Sequence, residues 1–297
     1  MSHFLDLTEI GQDQLLSWIE RAHWFLKNPR PSSQFSGSVA LLFFEASTRT
    51  RLSFAQAAFN LGLQTLDLGE TASSSISKGE SFEDTCRNVA AMGPRLCVIR
   101  CGDELDLAVL ASELPCPVLN AGWGKKAHPT QSLLDLACLW SERKSIWFRR
   151  ILFWGDVSHS RVVSSHQEIA KIFSIEIGQW GPPALLKKDE GIKTFQSASQ
   201  ALQWADVVIG LRSQRERHSG EVLSQFLPEH SLDIEKLKFF SSSGLILHPG
   251  PIHWGCEFQP EVAKDSRQRI LQQVSHGVAL RQSLMVHFLE AKRCQDI

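Results

Sequence analysis

Short, continuous apolar runs alternate with stretches of helical spacing along almost the whole chain. "SVALLFF" (38–44) leads into an amphipathic segment in which Leu52, Ala55 and Phe59 recur at helical spacing. "LQTLDL" comes next, and a helix is expected from about Glu80 to Met92. "RLCVIR", the helical "LDLAVLASEL" and "PVLNAG" complete a first series near residue 120. From His128 a longer helix runs through "PTQSLLDLACLWSER", with Pro129 in its first turn, where a missing N–H costs nothing. A second series then begins: "RRILFWGD", a helix around 160–173, "IEIGQW", a helix near 197–205, "DVVIGLR" and "GLILHPG". A final helix is expected from about Arg267 to Arg293. Strands that are apolar throughout are buried on both faces, so the pattern predicts an α/β chain with parallel, doubly wound sheets covered by helices.

Length turns that pattern into two units. The chain has 297 residues, too many for one ordinary core, and 43% of them are apolar. The division predicted is 1–140 for a first domain and 141–275 for a second. Charge narrows the partners: 31 basic and 32 acidic residues nearly cancel, so no global field favours nucleic acid or a membrane surface. No run approaches the roughly 18 apolar residues of a membrane span. The start "MSHFLDLTEI" lacks the basic-then-apolar form of a signal peptide. Seven cysteines without a CxxC pair predict free thiols in a reducing cytoplasm.

In open parallel sheets, ligands bind outside the carboxyl ends of the strands, and polar residues cluster at those points here. After the first strand, "STRTR" places Ser47, Thr48, Arg49 and Thr50 at a helix start. Backbone N–H groups, the helix dipole, hydroxyls and a bidentate guanidinium together suit a phosphate, although an ordinary capped helix reads the same way. Arg100 ends an apolar strand, where a charge has little structural use. Lys78 sits in the Ser/Gly-rich "SSSISKGES". His128 and Gln131 share one face of their helix with Asp135, while Leu133, Leu136 and Trp140 take another, which leaves the polar face free to look into a cleft. A neutral imidazole at a helix start donates a hydrogen bond to a carbonyl rather than acting as a cation; a capping role fits the same position. In the second half, Arg161 and Arg212, with Gln214, offer two cations suited to a dicarboxylate. The carbonyls of "HPGP" (248–251) are available as acceptors, because Pro251 has no N–H to engage them.

The segments "FFEASTRTRLSF", "SKGESFEDT", "VIR", "LNAGWGKKAHPTQSLLDL", "GDVSHSRV", "LRSQRER" and "HPGP" occur in the order and spacing of the aspartate and ornithine carbamoyltransferases. The chain resembles that family over roughly residues 40 to 285, and its aspartate branch in particular: it has HPGP, lacks HCLP and SMG motifs, and carries "LRSQRER". The resemblance implies two α/β domains with the active site in the cleft between them, and a last helix (about 276–297) that packs back onto the first domain. It implies carbamoyl transfer from carbamoyl phosphate to L-aspartate, without metal or cofactor. Ser47, Thr48, Arg49, Thr50 and Arg100 would hold the phosphate. Thr50, Arg100 and His128 would polarise the carbonyl. Gln131 and the carbonyls of Pro249 and Gly250 would orient the carbamoyl NH2 and the incoming amine. Arg161, Arg212 and Gln214 would bind the aspartate carboxylates. Ser75 and Lys78 would arrive from the neighbouring subunit of a homotrimer, to which regulatory chains or a dihydroorotase attach in some members.

Several positions depart from the family's usual pattern. Trp123 stands where Asp is usual, Cys101 where His is frequent, and His253–Trp254 where Asn-Arg is common. A carbamoyltransferase for ornithine or another amino acid, and a non-catalytic scaffold, are the competing readings. Retention of Arg49, Lys78, Arg100 and His128 weighs against the scaffold.

Overall fold

The computed structural model of the chain describes residues 3–31, 35–68, 79–212 and 228–293. It divides into two compact units, Met1–Ala137 with Val274–Ile297, and Cys138–Gln273. Both boundaries fall inside helices.

The first unit runs α1 (Gln12–Lys27), β1 (Ser38–Phe43), α2 (Thr48–Asn60), β2 (Gln64–Asp67), α3 (Phe82–Ala91), β3 (Leu96–Cys101), α4 (Leu107–Glu113), β4 (Val118–Trp123) and the start of α5 (Pro129–Arg143). Its sheet has the order β2-β1-β3-β4, all parallel. The central strands are buried along nearly their whole length, as continuous apolar runs require; β2, at the edge, is polar and largely exposed. Residues 12–27 carry no element in the reading above, yet Leu15, Trp18, Ile19, Ala22 and Phe25 form the buried stripe of α1. The last helix, α8 (Ile270–Arg293), returns to this unit. Its Ser283 hydroxyl donates to the Trp18 carbonyl (2.8 Å), and Asn60 of α2 donates to its Gln282 (3.1 Å).

One face assignment is corrected. Leu52 and Phe59 of α2 are 62% and 58% exposed, and the helix buries Phe54, Ala57 and Ala58 instead. Both sets have helical spacing, so periodicity alone did not choose between them.

The second unit continues with β5 (Arg150–Gly155), α6 (Arg161–Phe173), β6 (Glu176–Trp180), β7 (Ile192–Thr194), α7 (Ala198–Trp204), β8 (Val207–Leu211) and β9 (Leu245–Leu247). Its sheet order is β7-β6-β5-β8-β9, again all parallel. β7, only three residues long, is the strand missing from the sequence pattern. Asp206 pins the amino ends of β5 and β8 by accepting from the Arg149 and Arg150 N–H groups and the Arg150 guanidinium (2.8, 3.0 and 2.9 Å). Each sheet reverses its winding once, between β1 and β3 and between β5 and β8. A crevice opens at the carboxyl end of such a reversal, and that is where ligands of doubly wound sheets sit.

Candidate active site

In the first unit, Ser47, Thr48, Arg49 and Thr50 follow β1 and Arg100 lies on β3, the two strands at the reversal. β1 ends at Phe43, which pairs with Arg100 of β3, and the Phe44 N–H donates to the Arg100 carbonyl (2.8 Å). The β3–β4 register shifts between Ile99 and Cys101, so Arg100 sits at a local break in the ladder. Its side chain is 13% exposed, with Nε 3.4 Å from the Glu45 carboxylate. α2 starts at Thr48, with Ser47 in the N-cap position. Thr48 and Arg49 are exposed, while Thr50 is buried.

The helix N-termini differ in their caps. Ser81, Asp106 and Ser197 accept backbone N–H groups at the starts of α3, α4 and α7. Ser47 of α2 and Ser160 of α6 make no such side-chain cap among the described residues. These two helices follow β1 and β5, the strands at the two reversals. At such N-termini the helix dipole favours an anion.

β4 delivers the remaining groups of the first unit. His128 precedes α5, and its carbonyl accepts from the Gln131 and Ser132 N–H groups (3.0 and 3.4 Å). Its Nδ1 lies 3.4 Å from the Thr130 hydroxyl. The Gln131 amide donates to Asp135 (2.9 Å), which fixes the amide's direction and leaves its oxygen as an acceptor. The polar face of α5 is buried, contrary to the expectation of a face open to a cleft: His128 and Gln131 are 6% and 8% exposed and Asp135 is fully covered. Spacing on a helix identified the face but not its surroundings. Asp135 also acts electrostatically on Arg281 of α8, whose fully buried guanidinium lies over the Phe54 ring (4.9 Å). Burial pulls that guanidinium down to about 10, still cationic at neutral pH.

In the second unit, Gly155 pairs with Leu211 at the carboxyl ends of β5 and β8. At φ +117° a Cβ on Gly155 would stand 2.3 Å from the Leu211 carbonyl oxygen, so only glycine closes this end of the sheet. The next residue on each side leads to the expected cations: Arg212 follows Leu211 directly, and Arg161 opens α6. Asp156, which sequence reasoning passed over within "GDVSHS", is fully buried directly after Gly155. It accepts from the Ser158 hydroxyl (3.3 Å) and lies 2.8 Å from His159 Nδ1, shaping the loop that presents Arg161. A Gly-Asp pair directly after an apolar strand is the signal that would have found it.

The departures noted in the sequence have structural explanations in part. Trp123 is 8% exposed, donates its indole N–H to the Leu105 carbonyl (2.8 Å) and lies under the Lys126 ammonium (4.1 Å). Cys101 is core. Trp254 is 43% exposed, and nothing in the structure explains its choice. Ser75, Lys78 and Gln214 lie outside the described residues.

Comparison with known proteins fits this geometry. The model of the aspartate/ornithine carbamoyltransferase carbamoyl-P binding domain matches residues 2–141, and that of the Asp/Orn binding domain matches residues 149–288. The chain belongs to the aspartate/ornithine carbamoyltransferase family. Among curated members of that family, the aspartate carbamoyltransferase catalytic subunit of Desulfitobacterium hafniense is 41% identical over 84% of this chain and 81% of its own. That of Chlorobium phaeovibrioides is 36% identical over 96% and 97%. Among solved structures, aspartate transcarbamoylase from Trypanosoma cruzi in complex with carbamoyl aspartate and phosphate superposes with a TM-score of 0.85 at 25% identity, covering 96% and 95% of the two chains. Ornithine carbamoyltransferase from Thermus thermophilus shares the fold, with a TM-score of 0.82 at 22% identity over 96% and 97%.

Proposed function

We propose that this carbamoyltransferase moves the carbamoyl group of carbamoyl phosphate onto the amino group of L-aspartate, giving N-carbamoyl-L-aspartate and phosphate for pyrimidine synthesis. What supports the reading is that both sheet reversals carry cations beside a helix N-terminus without a side-chain cap, one suited to a phosphate and the other to carboxylates. Two arginines, Arg161 and Arg212, match the two carboxylates of aspartate; ornithine has one carboxylate and a side-chain cation that they would repel.

The first unit binds phosphate through Ser47, Thr48, Arg49 and Thr50, with Arg100 beside them. Thr50, Arg100 and His128 donate to the carbamoyl oxygen, where negative charge grows as the amine attacks. Gln131, its amide already turned by Asp135, accepts from the carbamoyl NH2, and the carbonyls of Pro249 and Gly250 complete that orientation. The neutral amine nitrogen forms its bond to the carbonyl carbon, the bond from that carbon to the phosphate oxygen breaks with its electron pair leaving on phosphate, and the proton the nitrogen loses is carried off by the departing phosphate. No enzyme atom bonds to the substrate, so rate comes from positioning and preorganised charge.

Ser75, Lys78 and Gln214 complete the set, the first two from the neighbouring subunit of a homotrimer in the cytoplasm. A second copy of the chain would also cover exposed apolar residues such as Leu52 and Phe59, and buried reduced thiols such as Cys86 and Cys138 suit a reducing compartment. Regulatory chains or a dihydroorotase are further partners such a trimer accommodates.

A bisubstrate analogue tests the reading without turnover. N-(phosphonacetyl)-L-aspartate, the ligand of a T. cruzi aspartate transcarbamoylase structure, carries both anionic ends. Calorimetry should show the analogue binding far more tightly than phosphate or aspartate alone, with Arg49→Ala and Arg161→Ala each weakening it. Equal affinity for the analogue and for phosphate would remove the aspartate half of the site.

A further inference from the structure

The HPGP turn follows β9 in the second unit, and its histidine is one of the most enclosed polar groups in the chain. The His248 and Glu257 side chains are both fully covered. His248 Nε2 lies 3.2 Å from Glu257 Oε1, and the Gly250 N–H donates to His248 Nδ1 (2.8 Å). The Gln273 amide oxygen accepts the His248 backbone N–H (2.8 Å). Phe258 stands edge-on to the imidazole, with centroids 5.3 Å apart at 76°. Gly210 of β8 makes room for both rings: a Cβ there would come within 2.5 Å of His248 Cδ2 and Phe258 Cζ.

These contacts fix a proton. A backbone N–H can donate to Nδ1 only if that nitrogen presents a lone pair. The imidazole is therefore neutral, its single N–H is on Nε2, and that N–H donates to Glu257. Doubly protonated or Nδ1–H forms would both set two N–H groups against each other at Gly250. Glu257 Oε1 also accepts the His253 N–H (2.8 Å), closing the loop that follows the turn. Glu257 Oε2 is buried without a hydrogen-bond partner among the described residues. A carboxylate left half-satisfied in a core costs stability, which calls for a reason beyond packing.

The peptide plane supplies one. The Gly250 N–H belongs to the same rigid unit as the Pro249 carbonyl. The Pro249–Gly250 peptide is trans. In a trans peptide the C=O and N–H point in opposite directions. Tying the N–H to His248 therefore aims the Pro249 carbonyl directly away from the imidazole, and Gly250 takes the left-handed φ of +69° that the turn then requires.

We infer that Glu257 is a positioning residue for the transfer: through the Nε2–H tautomer of His248 it sets the direction of the Pro249 carbonyl, which orients the carbamoyl NH2 and the attacking amine. This rests on the functional reading above. Glu257 touches no substrate. It acts by excluding the tautomer that would let the peptide rotate.

The test combines a spectroscopic and a kinetic readout. Protein labelled with 15N-histidine, with His248→Gln to assign its signals, should show His248 as a single neutral Nε2–H tautomer. Glu257→Leu should populate the other tautomer. It should also lower kcat about 100-fold, the scale of a misplacement near 1 Å. KM for carbamoyl phosphate, whose phosphate residues lie on the first unit, should change by less than about threefold, with substrate binding there left intact. Glu257→Gln, whose amide oxygen still accepts from Nε2–H, should restore most of kcat. A folded Glu257→Leu protein with wild-type kcat would overturn the proposal, as would an Nδ1–H or doubly protonated His248 in the wild type; that second measurement needs no Glu257 variant to fold. Wild-type protein with the expected tautomer but no carbamoyl transfer to aspartate would sink the functional reading and leave Glu257 only a structural role.

Discussion

Arg49 and Arg51 stand a short way apart at the start of α2 and face different tasks. Arg51 is spent: its Nε donates to Asp67 of β2 (2.8 Å), a pair about one-third exposed (33% and 31%). Arg49 is exposed at the helix N-terminus beside Thr48. Arg49→Ala should lower kcat/KM for carbamoyl phosphate by about 100-fold, roughly 3 kcal/mol, the scale of losing one preorganised contact to developing charge. Arg51→Ala should leave kcat/KM within about threefold and cost at most about 1 kcal/mol of stability, since solvent screens such pairs. Steady-state kinetics on the two variants, with urea unfolding, checks both; equal kinetic losses would mean that Arg49 has no special contact with phosphate. The sequence distinguished chemistry better than it distinguished surroundings. Hydroxyls and arginines at a strand end suit the anion site proposed there, but the partner that neutralises Arg51 is sixteen residues away in β2 and carries no local signal. Asp156 was hidden differently: a lone acid in a loop is common, and only its complete burial marks it as a builder of the site.

At the scale of elements, alternation of strands and helices was legible because buried parallel strands leave an uninterrupted apolar run. Failures came where that signal thins. β7 has three residues, α1 belongs to no βα repeat, and α2 offered two helical stripes of which the fold buried the one containing alanines. α5 shows the reverse limit, a helix with polar residues on one side that is nevertheless covered there. α6 carries a pH-dependent load that no pattern reveals. Its His166 is fully buried against the Phe153 ring of β5 (centroids 5.3 Å apart), and its Nδ1 lies 2.9 Å from the Val162 carbonyl. Desolvation lowers it from 6.5 to about 4, partly opposed by that hydrogen bond. Between those values the unfolded chain holds the proton and the folded chain does not, so stability falls as pH drops from 6.5 towards 4. The full loss is about 3 kcal/mol. Chemical unfolding of wild type and His166→Gln from pH 7 to pH 4 should show the wild type losing that much relative to the variant. A difference that stays flat would mean His166 titrates normally in the folded state.

At the scale of the molecule, two parallel sheets each present a reversal, with Arg100 at the first and Arg212 at the second. Among the described residues, no helix is long and apolar enough to cross a membrane. The proposed trimer makes a separate, countable prediction. Lys78→Ala and His128→Ala proteins should each be inactive. Dissociated and mixed in equal amounts, they should recover activity at about a quarter of their sites, because a site works when its own chain keeps His128 and its neighbour keeps Lys78 in a closed ring. No recovery, with mixed trimers shown to form, would place Lys78 in its own chain's site. The central claim is the acceptor. The most direct measurement is carbamoyl transfer from carbamoyl phosphate with L-aspartate and L-ornithine assayed side by side at equal enzyme. The account predicts rapid formation of N-carbamoyl-L-aspartate and a kcat/KM for ornithine lower by at least about a thousandfold, as expected when a site built for two carboxylates meets a cation. Comparable rates with both amino acids, or faster citrulline formation, would contradict it.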